Sequence, residues 1–297
     1  MNFFLETNGQ CFYNHFTHSR YNHFRPELPF TKKVSGLFLC YKAAMTASLA
    51  IFILFAVFIT SLLSGTFGMA GGMVLMGMLT SVLPIPQTMM LHAVSQFCAN
   101  GGRALILREH IRFTGIGPYL LGMGISFAFF CAVAFVPNKM MVFLLLGLGP
   151  FLPLLFRDKI KFDFTKPVQA FFCGASVTGF QLTSGVAGPL IDLFFQKTGL
   201  TRHQVIATKS FTQLIAHVAK FCYFGILVPM LTHTPAPELL PIWIYLAIVP
   251  VSLLGSRAGH HLLNRISDQQ FFKMTQWLLW VMGAFYLGKA VFLAYAD

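Results

Sequence analysis

Charge is scarce in this chain. Asp, Glu, Lys and Arg make up 10% of its 297 residues, against about 25% in a soluble domain. With 56% hydrophobic residues and a mean hydropathy of +0.69, the composition excludes a water-soluble domain of useful size. It describes a polytopic membrane protein embedded in a lipid bilayer. Acids are scarcer than bases, 9 against 21, but the bases form short clusters between apolar runs, which excludes a continuous phosphate-binding surface and hence nucleic acid. The 6 cysteines, Cys11, Cys40, Cys98, Cys131, Cys173 and Cys222, form no CxxC pair. Four of them fall inside apolar runs, so neither a metal site nor a disulfide framework is expected, and no cofactor is implied. No GxxxxGK[ST] loop occurs, which excludes ATP-driven work by this chain itself. No cleavable signal peptide is expected, because the first long apolar run leads directly into further spans.

What the chain has is a motif that occurs twice, each time breaking an apolar helix. It reads Ser61-Leu-Leu-Ser-Gly65-Thr-Phe-Gly68-Met-Ala-Gly71-Gly72, then Thr178-Gly-Phe-Gln-Leu-Thr-Ser-Gly185-Val-Ala-Gly188-Pro189. A shift of 117 positions lays Gly68 on Gly185 and Gly71 on Gly188. Broken backbone survives in a membrane only where protein or a polar cavity covers it. A pair of such breaks at matching places in two halves marks the substrate site of a secondary transporter.

Apolar segments at 45–64, 73–83, 88–107, 114–136 and 139–156 are followed by a second set at 168–184, 189–199, 203–228, 240–262 and 271–294. The second member of each set is too short for a span of about 20 residues and reads as a discontinuous or re-entrant element. The expected fold is all-α, polytopic, with a two-fold internal repeat, inverted, and broken or re-entrant helices. Residues 45–156 form the first transmembrane repeat, 157–167 a cytoplasmic linker and 168–297 the second repeat. Residues 1–44 form a basic N-terminal tail that prefers the cytoplasm, against the inverted topology; a start at Met45 would remove that conflict.

Two polar stripes follow the breaks: His92, Gln96, Asn100 and Arg103, then Lys209, Gln213, His217 and Lys220. Their spacing puts each set on one helical face, and the shift of 117 pairs them one to one. Such faces either bond between helices or line a pathway. Arg103 and Lys220, near helix ends, are expected to snorkel, whereas Lys209 lies about 10 Å along its helix at 1.5 Å per residue and is expected to function. Asp192, the one acid well inside an apolar run, pairs with Lys209, exchanges a proton during transport, or sits at the interface. Thr183, Ser184 and Gly185 supply hydroxyls and N–H groups just before Pro189, and Gly71-Gly72 opens the matching short helix. Two helix N-termini aimed at one cavity favour a small anion.

These blocks resemble the TauE/SafE family of sulfite exporters. The matching stretches are Ser64–Gly72 with Leu83–Ser95, and Gly185–Pro189 with Gly199–Ser210, within a resemblance that covers nearly all of 45–297. The family pattern sets Ser95 opposite Ser210. The resemblance implies a secondary transporter, not an enzyme, that exports sulfite, a sulfonate or thiosulfate across the plasma membrane, the inner membrane of a bacterium. The expected substrate-binding residues are Gly68, Gly71, Gly72, His92, Ser95, Gln96, Asn100, Thr183, Ser184, Gly185, Gly188, Lys209, Ser210, Gln213 and His217, with Asp192 the proton-coupling candidate. The alternatives are an anion channel and an integral membrane enzyme. For the enzyme the chain offers little, since His260-His261 is a lone pair whose members point about 100° apart on a helix.

Loop charge predicts the orientation. Arg103–Arg112, Arg157–Lys166 and Arg257–Lys273 face the cytoplasm, and Pro229–Pro241, without Lys or Arg, faces outside. Single cysteines placed in these loops and labelled with an impermeant reagent in intact cells should react at Pro229–Pro241 only. Labelling of 157–166 from outside would overturn the topology.

Overall fold

The computed structural model describes residues 29–67, 70–152, 162–237, 239–263 and 265–296, with side chains from residue 47 onward except at 263, 268, 271, 272 and 296. Gly68 and residues 157–161 of the charged linker lie outside the described residues. The chain divides into two compact units, Met1–Ser48 and Leu49–Asp297. Of the first, residues 29–48 are described and are helical. The second holds everything that follows.

Helices joined by short loops make up the described residues, with no strand among them. In chain order the helices are α1 (Pro29–Phe67), α2 (Ala70–Val82), α3 (Ile85–Ile106), α4 (Ile116–Val133), α5 (Lys139–Leu148), α6 (Pro167–Ser184), α7 (Gly188–Phe195), α8 (Arg202–Cys222), α9 (Ile242–Leu263) and α10 (Asp268–Ala296). Beyond α8, a π turn at Tyr223–Leu227 and a short helix at Val228–Thr232 prolong the same rod. Local sequence sets many of the ends. Pro86, Pro167 and Pro189 sit in first turns, where a missing N–H costs nothing. Asn138 caps α5 by accepting from the Met141 N–H at 2.8 Å. Thr201 and Gln204 form a reciprocal capping box at the start of α8. Gly185 ends α6 at φ +83°, a left-handed conformation that glycine adopts without strain.

Among the described residues, five stretches are long and apolar enough to cross a membrane: Ala47–Phe67, Ile116–Val133, Arg202–Thr232, Ile242–Leu262 and Lys273–Tyr295. Helices α2 and α7 are not. Their 13 and 8 residues extend about 20 and 12 Å at 1.5 Å per residue, short of the roughly 30 Å hydrocarbon core. The outer faces carry exposed large apolar side chains at helical spacing, such as Leu121, Ile125 and Phe129 on α4 and Val281, Phe285 and Phe292 on α10. On a water-facing surface such a band would drive aggregation; against lipid it is at home.

Glycines set the closest helix crossings. On α4 and α6, a Cβ at Gly122 would collide with the Phe171 carbonyl, and one at Gly174 with the Tyr119 carbonyl. On α1 and α9 the same close approach is made by Gly65 against Ser256, and by Gly255 and Gly259 against the carbonyls of Phe58 and Leu62. Small residues let helix backbones meet where hydrocarbon on both sides removes the usual hydrophobic drive. The non-spanning α2 is pinned to α10 by Tyr286, whose hydroxyl packs over Gly77 and donates to the Met73 carbonyl at 3.0 Å.

Gly122→Ala should therefore lower the thermal midpoint in detergent, by about 1–3 kcal/mol for overpacking a tight contact. Gly124→Ala, two residues along and facing open space, should match or exceed the wild type, since alanine favours helix over glycine by up to about 1 kcal/mol. Equal stability of the two variants would show that the α4–α6 crossing does not depend on glycine.

A candidate anion cavity between the two breaks

Helices α3 and α8 carry the polar stripes, and they run antiparallel against one another. Lys220 near the end of α8 meets His92 near the start of α3, and Leu214 packs on Gly101. Past the end of α3, the Arg112 N–H donates to Thr208 Oγ1 at 3.0 Å. Face-to-face antiparallel stripes place many polar groups along one seam.

A small, partly enclosed cavity opens on that seam. From the first half of the chain, Ser64, Gly72, His92, Gln96 and Arg103 line it; from the second, Gln181, Val186, Ala187, Gly188, Gln213 and His217. Both breaks reach the wall, the first through Gly72 and the second through Val186–Gly188. The first turns of α2 and α7 therefore lie in that wall. No Asp or Glu is among the described residues that line it.

The hydrogen bonds around the cavity fix several side chains. His92 Nε2 lies 2.9 Å from the Gly72 carbonyl. A carbonyl oxygen only accepts, so Nε2 carries the proton and Nδ1 faces Lys220 Nζ at 2.8 Å. Lys220 Nζ also donates to the Gly185 carbonyl at 2.9 Å. The Gln181 amide donates to His217 Nδ1 at 3.1 Å, which leaves His217 Nε2 as the donor. The two imidazole rings stand 5.8 Å apart. Arg103 donates from its guanidinium to Ser64 Oγ and Asn100 Oδ1, each at 3.3 Å, and from Nε to the Ala99 carbonyl.

Of the residues expected from the sequence, Gly72, His92, Gln96, Gly188, Gln213 and His217 come together on the cavity wall. Gly71 does not line it; a Cβ there would collide with the Thr60 carbonyl and the Ser64 backbone. Ser95 and Ser210 are buried away from the wall, Ser95 with its hydroxyl unpartnered. Asn100 stands behind Arg103, its amide nitrogen unpartnered. Thr183 donates back to the carbonyls of Gly179 and Phe180 in its own helix. Ser184 donates to the carbonyls of Phe180 and Val186, holding the turn of the break. Gly185 contributes its carbonyl to Lys220. Lys209 is not in the wall either; it forms an ion pair with Asp192, whose side chain is 39% exposed.

Two residues stand elsewhere than expected. Arg103 does not snorkel away but lies in the cavity wall, and Lys220 is fully buried with 0% exposure. The cause is the antiparallel seam, which turns the last residues of each stripe inward onto the partner stripe. Ser64 and Gln181 are lining residues that the stripes did not include. The signal was there, because they are themselves 117 positions apart, the offset that relates the two breaks. Among the described residues no cluster of three or more His, Cys, Asp or Glu side chains is placed to hold a metal ion.

A family model described as Sulfite exporter TauE/SafE matches residues 53–286. No curated protein and no solved structure matches the chain.

The Lys209–Asp192 pair is half-exposed, between the weak coupling of surface pairs and the strong coupling of buried ones. A double-mutant cycle of Asp192→Asn and Lys209→Met, read as thermal midpoints in detergent, should give a coupling of about 1 kcal/mol. Lys209→Met should partly restore the stability lost in Asp192→Asn. Strict additivity would show that the pair contributes nothing.

Proposed function

The chain belongs to the TauE/SafE family and is a multi-pass membrane transport protein, and on that premise we propose that it is a secondary exporter of a small sulfur oxyanion, sulfite, a sulfonate or thiosulfate, in the plasma membrane. The cavity between the two breaks is the binding site. The observation that carries this reading is its lining: amide, imidazole and guanidinium donors from both halves of the chain, with no carboxylate among them. A sulfur oxyanion presents three or more strong acceptor oxygens and needs converging donors of this kind. Arg103 supplies a permanent charge with a planar donor fork. Gln96 and Gln213 supply amides, and His217 supplies Nε2–H. The first turns of α2 and α7 add backbone N–H groups and the positive ends of their dipoles.

The inverted two-fold repeat belongs to the same proposal. It is supported by the reciprocal crossings of α1 with α9 and α4 with α6, each of which takes one helix from either half. Antiparallel packing of α3 on α8 fits the same axis. An inverted repeat puts a site at the interface of its halves, where rocking of one against the other exposes it to either side.

Proteoliposomes with labelled sulfite, thiosulfate, methanesulfonate and small carboxylates test the reading. Uptake of the sulfur oxyanions should be saturable and exceed that of the carboxylates. Arg103→Gln should weaken sulfite binding by about 1.5–3 kcal/mol, the range for hydrogen bonds to charged groups, which is roughly 10- to 150-fold. Gly188→Val should block the cavity wall. Sulfite affinity unchanged in both variants would place the site elsewhere.

A further inference from the structure

Lys220 is the most buried cationic side chain beside the cavity, yet it does not line it. It reaches the wall through His92, which does. Around its Nζ the protein places two acceptors, His92 Nδ1 at 2.8 Å and the Gly185 carbonyl at 2.9 Å. Two acceptors match the two N–H bonds of a neutral amine; an ammonium carries three. Among the described residues no carboxylate pairs with it, for the ion pair at Asp192 is taken by Lys209. The titratable and charged groups that face Lys220 are His92 on α3 and His217 on its own helix, with Arg103 farther along the cavity. Helix α2 carries no titratable side chain, and α6 presents Gln181. Among the described residues the neighbours are therefore neutral or basic, and none of them gives a proton added at Nζ a counter-charge. An oxyanion in the adjoining cavity would supply one.

We propose that Lys220 is a proton site coupled to the anion cavity, so that the amine takes up a proton as an anion enters and releases it as the anion leaves, and the two move together. The Nζ lone pair takes a proton from water on the side to which the cavity is open, and returns it on the other. His92 holds Nζ beside the cavity by accepting from it while donating to the Gly72 carbonyl. Coupling of this kind is reciprocal: an anion raises the protonated fraction of Lys220 by the same factor by which protonation raises anion affinity. An uncompensated charge in a low-dielectric interior is strongly unfavourable, so the coupling penalises a cavity that carries one partner without the other. This inference rests on the anion reading of the cavity.

Calorimetric titration of the purified full chain in detergent tests it, with methanesulfonate as the probe because a sulfonate does not itself titrate near neutral pH. The titration is run at one pH in phosphate and in Tris, whose ionisation enthalpies differ. In the wild type the binding heats should differ between buffers by an amount approaching one proton taken up per anion bound. In Lys220→Met the buffer dependence should vanish. Should that variant fail to fold, Lys220→Arg keeps a permanent charge and should bind methanesulfonate without proton uptake. Equal heats in the two buffers for the wild type would overturn the proton site while leaving the anion cavity standing. Buffer dependence that survives Lys220→Met or Lys220→Arg would also overturn it. Absence of binding by methanesulfonate, sulfite and thiosulfate alike would instead overturn the anion cavity, and this inference with it.

Discussion

A backbone carbonyl that leaves a helix inside hydrocarbon must find a donor, and at Gly185 the donor is Lys220. Much of the site follows from this one bond. Gly185 takes a left-handed turn that ends α6, and its carbonyl faces the seam between α3 and α8. The amine that satisfies it also meets His92, and His92 in turn donates to the Gly72 carbonyl in the first turn of α2. A single chain of three hydrogen bonds thus ties the second break to the first. The price is an ionisable group in an interior with no acid beside it among the described residues.

The surrounding helices divide the work. The crossings at Gly122 and Gly174, and at Gly65, Gly255 and Gly259, bring backbones into contact. The short helices α2 and α7 are not spans. They are held by side chains, α2 by Tyr286 and His92 and α7 by apolar packing of Ile191, Phe194 and Phe195.

Much of this was legible in the residues. The doubled motif, Gly68 with Gly71 and Gly185 with Gly188-Pro189, located both breaks, because glycine and proline are the weakest helix formers. Segment length separated α2 and α7 from the spans. The 3.6-residue period placed His92, Gln96, Gln213 and His217 on inward faces, and all four line the cavity. Arg103 and Lys220 were misread as snorkelling residues because depth was judged from each helix alone. Position along one helix does not reveal that an antiparallel neighbour covers its end. Lys209 pairs with Asp192 on α7, one of the alternatives the sequence left open, and does not line the cavity toward which its depth along the helix pointed.

Composition and periodicity therefore determined the class of protein, the number of breaks and the faces that turn inward, since these depend on how one segment partitions between lipid and protein. Local chemistry also set many of the helix ends, through Pro86, Pro167, Thr201 and Gly185. Only the tertiary structure decided which polar groups meet. Pairing across α3 and α8 depends on the direction and register of two helices more than 100 residues apart. A shift of one turn, about 5.4 Å, would part Lys220 from His92. Partners that lie within a hydrogen bond in space but far apart in the chain leave no local trace in the sequence.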